Sequence, residues 1–142
     1  MTELRWNSDF KSSIDLDRPV LAVAFKGLFD ASGAATSALE WLSSYFSFMK
    51  LGEIDPETFF DFTQERPTVL FGENGERELR WPANEINAIK TPEGQRDLVV
   101  IAGVEPHLRW KTFSTALTEV AHEVQAETVT TLGSMVGMIP HT

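Results

Sequence analysis

Leu98-Val-Val-Ile-Ala102 is an unbroken apolar run, closed by Gly103 and followed by Val104-Glu-Pro-His-Leu-Arg-Trp110. Apolar residues without alternation are the pattern of a strand covered on both faces. Glu105 and Pro106 predict a helix opening just beyond the glycine, where proline's fixed φ and an acidic side chain suit a helix N-terminus. A helix leaving such a strand must lie across a sheet, so this stretch calls for layers of sheet and helix. Pro19–Phe25, before Gly27, and Thr128–Leu132, before Gly133, repeat the feature.

The intervening segments fill in the order. Residues 2–18 are polar and weakly patterned and read as an extended arm packed by Trp6 and Phe10. Asp30 or Ser32 is a suitable N-cap for a helix over 33–46. Its small opening residues, Gly33 to Ala38, allow close approach to a sheet, and Leu39, Leu42 and Phe46 continue the buried stripe. A strand over 49–54 and an extended segment at Phe59–Phe62 follow. Asn74-Gly75 between Thr68–Gly72 and Glu76–Trp81 predicts a hairpin. A three-residue loop with Gly75 left-handed sets Val69 opposite Leu79 and puts Val69, Phe71, Leu79 and Trp81 on one face. A short strand at 86–90 precedes the central one. The second helix is expected from Pro106 or Leu108 to Gln125, on the stripe Trp110, Phe113, Leu117, Val120, Ala121 and Val124. The order argues an α/β sandwich with a mostly parallel mixed sheet plus an antiparallel hairpin. Residues 19–142 read as a single α/β domain behind the arm at 1–18.

The 142 residues carry a net charge of -9, which argues against nucleic acid and against anionic membranes. The chain has no cysteine, which removes disulfides, thiolate metal sites and thiol catalysis. No apolar leader is visible at the N-terminus, and the longest apolar runs are strand-length. A cytoplasmic location is expected.

Parallel strands would bring their glycine-terminated ends to one edge, where open α/β sheets usually bind ligands. Gly27, Asp30, Gly33, Gly103, Glu105, Arg109, Gly133 and His141 would then form a common rim. The plainer alternative is that Asp30 caps a helix and Glu105 pairs with Arg109. Gly27–Gly33 does not spell a dinucleotide or phosphate loop. His122-Glu123 lacks the second histidine of a zinc motif, since residue 126 is Ala. Ser134 lies in Leu-Gly-Ser-Met-Val, not in a nucleophile elbow. No metal and no cofactor are expected. Phe59, Phe60, Phe62 and Trp81 are the candidate protein-contact surface.

Gly27-Leu-Phe-Asp-Ala-Ser-Gly-Ala-Ala35, Arg66-Pro67-Thr68, Trp81-Pro82, Gly103-Val-Glu-Pro-His-Leu-Arg-Trp110, Leu132-Gly133 and Pro140-His-Thr142 together resemble the proteasome assembly chaperone 2 family in its bacterial branch. Leu28 and Ser32 depart from the family's Gly-Trp-x-Asp-Ala-Gly turn. The resemblance implies a phosphorylase/hydrolase-like three-layer α/β/α sandwich. It also implies that the chain corresponds to the N-terminal half of a typical member, truncated within the Pro-His-Thr motif. Eukaryotic members act as chaperones in assembling proteasome α-rings, and archaeal relatives bind proteins and form homo-oligomers. The leading expectation is therefore a non-enzymatic protein-binding, assembly-chaperone-like protein that self-associates, as a trimer for example, with proteasome subunits as partners. The rival is a small-molecule or nucleotide-binding enzyme at the glycine-rich edge, with Glu105 as acid or base and Arg109 holding an anion.

Overall fold

The computed structural model describes residues 3–8, 10 and 14–140. Strand β1 is Leu4–Trp6, β2 Val20–Lys26, β3 Phe48–Ile54, β4 Thr68–Phe71, β5 Arg77–Arg80, β6 Asn84–Ile89, β7 Leu98–Val104 and β8 Thr128–Thr131. Helix α1 is Ala34–Tyr45, preceded by a 3-10 turn at Ala31–Gly33; α2 is the single turn Pro56–Phe59, and α3 is Trp110–Glu123.

Six strands form one mixed sheet in the order β1-β3-β6-β7-β2-β8, while β4 and β5 form a separate two-stranded sheet. The parallel part is β7-β2-β8: Val20 to Lys26 pair with Leu98 to Val104, and Val20 to Val23 pair with Thr128 to Thr131. β6, β3 and β1 continue antiparallel beyond β7. Leu4–Trp6 thus forms an edge strand, and the Trp6 ring stacks on Phe10 with centroids 4.3 Å apart.

The two helices cover opposite faces. On one, Leu21, Val23, Val99 and Ile101 pack with Phe113, Ala116 and Val120 of α3. On the other, Ala22, Ala24 and Val100 pack with Ala35 and Leu39 of α1. Period-two alternation sends every second residue to each helix, which explains why β2 and β7 are apolar throughout. Each fully buried Val, Leu or Ile contributes roughly 1.5–3 kcal/mol by leaving water. The alanines let α1 lie close, whereas Phe113 fills the other layer, meeting Phe25 and Phe59 edge-on at 5.4 and 5.2 Å. The molecule is a three-layer α/β/α sandwich.

Three local expectations are corrected. The helix expected from Pro106 or Leu108 begins at Trp110, because the amides of His107 and Leu108 both donate to the Phe59 carbonyl and Arg109 is left-handed at φ 54°. Trp110, expected in the buried stripe, is exposed. Phe59, expected to be extended, closes the α2 turn, which Asp55 caps through the Glu57 amide with Pro56 at the first helical position.

The hairpin follows the expected register. Val69 lies opposite Leu79, and Gly75 is left-handed at φ 80° in the loop between Gly72 and Glu76.

Candidate functional site

β2 and β7 are parallel neighbours, yet the chain leaves them in opposite directions. From β2 it crosses α1 to β3; from β7 it crosses α3 to β8. Each connection crosses over the other strand on its own face of the sheet, and the C-terminal ends of β2 and β7 lie side by side at one edge. Gly27 and Glu105 meet there. The Glu105 amide donates to the Lys26 carbonyl at 3.1 Å, and the Glu105 carboxyl lies over Gly27.

The other rim candidates take up structural tasks. Asp30 is buried: Oδ1 accepts from the amides of Ala35 at 2.9 Å and Thr36 at 3.1 Å, and Oδ2 accepts from the Thr36 hydroxyl at 2.6 Å. It thereby satisfies free amides at the start of α1. The Thr36 hydroxyl bond outweighs burial and, with those amides, lowers the Asp30 pKa below the usual carboxylate value. Gly33 supplies the left-handed residue ahead of α1. A parallel bridge between Asp30 and Ser134 brings the segment after Gly133 against the turn, and the Ser134 amide donates to the Phe29 carbonyl at 2.8 Å.

Gly103 lies inside β7 rather than after it, because the strand continues to Val104. The buried Asn84 packs against Gly103 and bonds the Val104 main chain twice: the amide group donates to the carbonyl at 3.0 Å and Oδ1 accepts from the N–H at 2.8 Å. Arg109 pairs with Glu3 at 3.4 Å, not with Glu105 as the plainer sequence reading had it. His141 lies outside the described residues.

The contact surface expected at Phe59, Phe60, Phe62 and Trp81 is corrected in part. Phe59 and Phe60 are buried in the α3-side core. The α2 turn points them inward, and Phe60 meets His107 edge-on at 5.8 Å. Phe62 is half-buried and meets the exposed Trp81 at 5.0 Å. The exposed apolar surface runs instead along the hairpin, where Val69, Phe71 and Leu79 lie on one face.

The hairpin's other face, with Thr68, Leu70 and Arg80, closes a groove of about 400 Å³ over α1 and the ends of β6 and β7. Asn87 and Ala102 also line it, and Lys26 lies at the β2 end. Across it, Lys26 Nζ pairs with Glu65 at 3.4 Å, and on β6 Glu85 pairs with Lys50 at 3.0 Å.

Outside this region two carboxylates have lowered pKa values. Asp61 is held at about 2, chiefly by the Thr63 hydroxyl and then by Gln64 and the Thr63 amide. Burial pushes Asp97 up, but the Lys90 ammonium and the amides of Thr91 and Asp17 outweigh it and leave the pKa lowered. Among the described residues no three His, Asp or Glu side chains converge as a metal-binding group. No helix among the described residues is long and apolar enough to cross a membrane.

Sequence reasoning passed over Asn84, Asn87 and Asp97. For the two asparagines the available signal was their place in a strand, where that residue is depleted; Asp97 lies just before β7.

Together these features define a three-layer α/β sandwich protein with a groove beneath a projecting apolar hairpin. Residues 24–142 match the sequence pattern of the PAC2 family, and the chain belongs to that family. It is 35% identical to a PAC2 family protein from Streptomyces avermitilis, with a TM-score of 0.81 over 87% of this chain and 52% of that one. It is 36% identical to a protein of Mycobacterium tuberculosis described as a proteasome-assembly chaperone homologue, with a TM-score of 0.78 over 87% of this chain and 52% of that one. A Corynebacterium glutamicum protein of unknown function shares the fold at 21% identity, with a TM-score of 0.81 over 97% of this chain and 52% of that one. The chain thus spans about half the length of these solved relatives. No curated protein matches the sequence.

Proposed function

We propose that this chain is a non-enzymatic, cytoplasmic, protein-binding member of the PAC2 family that self-associates and assists assembly of proteasome-type subunits. One observation carries the reading. The β4–β5 hairpin stands apart from the main sheet, is exposed along both strands, and turns Val69, Phe71 and Leu79 outward. Apolar side chains massed on one exposed face, with Arg77, Glu78 and Arg80 around them, mark a surface that a partner covers. The description of the Mycobacterium tuberculosis relative as a proteasome-assembly chaperone homologue supports the partner class.

The test is light scattering on the purified chain together with capture of proteasome α-type subunits, using the wild type and a Phe71→Asp, Leu79→Asp double variant. A concentration-dependent oligomer and subunit capture, both lost in the folded variant, are expected. A monomer that captures no subunit would overturn the reading.

A further inference from the structure

The groove beneath the hairpin contains an acceptor with no donor. Asn87 Oδ1 is buried, and among the described residues no group hydrogen-bonds to it. Native interiors nearly always satisfy such atoms, because an unmet buried acceptor keeps its full desolvation cost. The position of Asn87 follows from strand alternation: Ile86 and Ala88 join the α3-side core, so Asn87 between them faces the α1 side.

The walls around it divide by chemistry. Arg66 and Arg80 both line the groove, and neither pairs with a carboxylate among the described residues. Lys26 is already held by Glu65, so the two guanidiniums are the cations left to receive an anion. Leu70, Trp81 and Ala102 supply apolar wall. A volume of about 400 Å³ is in the range of small-molecule pockets.

We propose that this groove binds a carboxylate with an N–H donor beside it and an apolar side chain: the chemistry of a free α-amino acid or of the last residue of a peptide. Arg66 and Arg80 take the carboxylate, for which a guanidinium has matching fork geometry. Asn87 Oδ1 accepts the N–H, and Leu70 and Trp81 pack the side chain. This site goes beyond the assembly reading and does not depend on it.

Isothermal titration of the full chain with N-acetyl-leucine, leucine and N-acetyl-leucinamide tests the proposal. N-acetyl-leucine is expected to bind, and its amide, which lacks the charge, at least about tenfold more weakly. Leucine binding as well as N-acetyl-leucine points to a free amino acid as the natural source; N-acetyl-leucine binding alone points to a peptide end. Arg66→Ala and Arg80→Ala, both at exposed positions, should each weaken binding about tenfold or more without moving Tm. Asn87→Leu should abolish binding while Tm holds or rises, because the unmet acceptor is gone. The proposal is overturned if neither acid binds, if acid and amide bind alike, or if both arginine variants bind like the wild type.

Discussion

A Cβ atom on residue 27 would lie 2.1 Å from Cδ of Glu105, so at the C-terminal ends of β2 and β7 a carboxylate rests on a glycine. Gly103 has a similar neighbour in Asn84, whose Oδ1 would be 1.9 Å from an added Cβ. The two cases differ in what can give way. Glu105 is the end of a flexible side chain, whereas the Asn84 amide is fixed by two bonds to Val104. Residue 27 also stands at φ 159°, which an L side chain adopts only under strain. Gly27→Ala is therefore expected to cost about 2 kcal/mol and Gly103→Ala about 3 kcal/mol, measured from urea midpoints. Adding Glu105→Ala to Gly27→Ala should recover the part due to the close contact and leave about 1 kcal/mol of backbone strain. A double variant no more stable than Gly27→Ala would contradict the distinction.

Acid should unfold the protein through its tied carboxylates. Asp30, Asp61 and Asp97 all have folded pKa values below their ordinary ones, Asp61 at about 2. A depressed carboxylate pKa gives stability that is present above the unfolded value and lost as pH falls through the folded one. Thermal midpoints are therefore expected to be flat near neutrality and to drop between about pH 5 and about pH 2. Asp61→Asn and Asp97→Asn should each make that drop shallower in a series of thermal scans. A midpoint insensitive to acid would contradict this assignment.

Asp97 itself joins three segments. Its carboxylate accepts from the amides of Asp17 and Thr91 at 2.8 and 2.9 Å and from Lys90 Nζ at 2.5 Å. Asp97 is only 2% exposed in its side chain, but Lys90 is 54% exposed and can be hydrated by itself. The ion pair is therefore the smaller part, and the two amides the larger. Asp97→Ala should cost roughly 2–3 kcal/mol in denaturant titration, and Lys90→Ala under about 1 kcal/mol. The reverse order would show that the ion pair dominates.

The hairpin face should separate stability from association. Phe71 is 70% exposed and Leu79 51% exposed, so charging them removes little packing. Phe71→Asp and Leu79→Asp are each expected to shift the unfolding midpoint by under about 1 kcal/mol while abolishing the oligomer that the proposed self-association would give in light scattering. A variant that remains folded and associates like the wild type would place the contact elsewhere.

Local chemistry was sufficient wherever it acted alone. The apolar runs ending near Gly27, Gly103 and Gly133 do lie side by side and parallel. The Asn74-Gly75 loop gave the pairing of Val69 with Leu79 because turn geometry and alternation both operate within a few residues. Distant partners defeated the reading elsewhere. Pro106 is an ordinary helix opener, but the Phe59 carbonyl, far away in sequence, takes the two following amides and delays α3 to Trp110. Phe59 and Phe60 looked like surface because aromatic runs do not reveal which layer they enter. Arg109 is drawn to Glu3, and no spacing rule joins those positions. The groove was hidden in the same way, since Asn87, Arg66 and Arg80 are united only by the hairpin folding over β6.

β8 has a further consequence. Thr128–Thr131 terminates the strand order and is exposed at every residue. Neither lysine nor proline interrupts it, although these are the usual guards against templated pairing. One flank of β8 thus offers main-chain amides and carbonyls to any extended peptide, whatever its side chains. Left uncovered, such a border favours pairing with a further strand, so this flank is where the sheet can be extended.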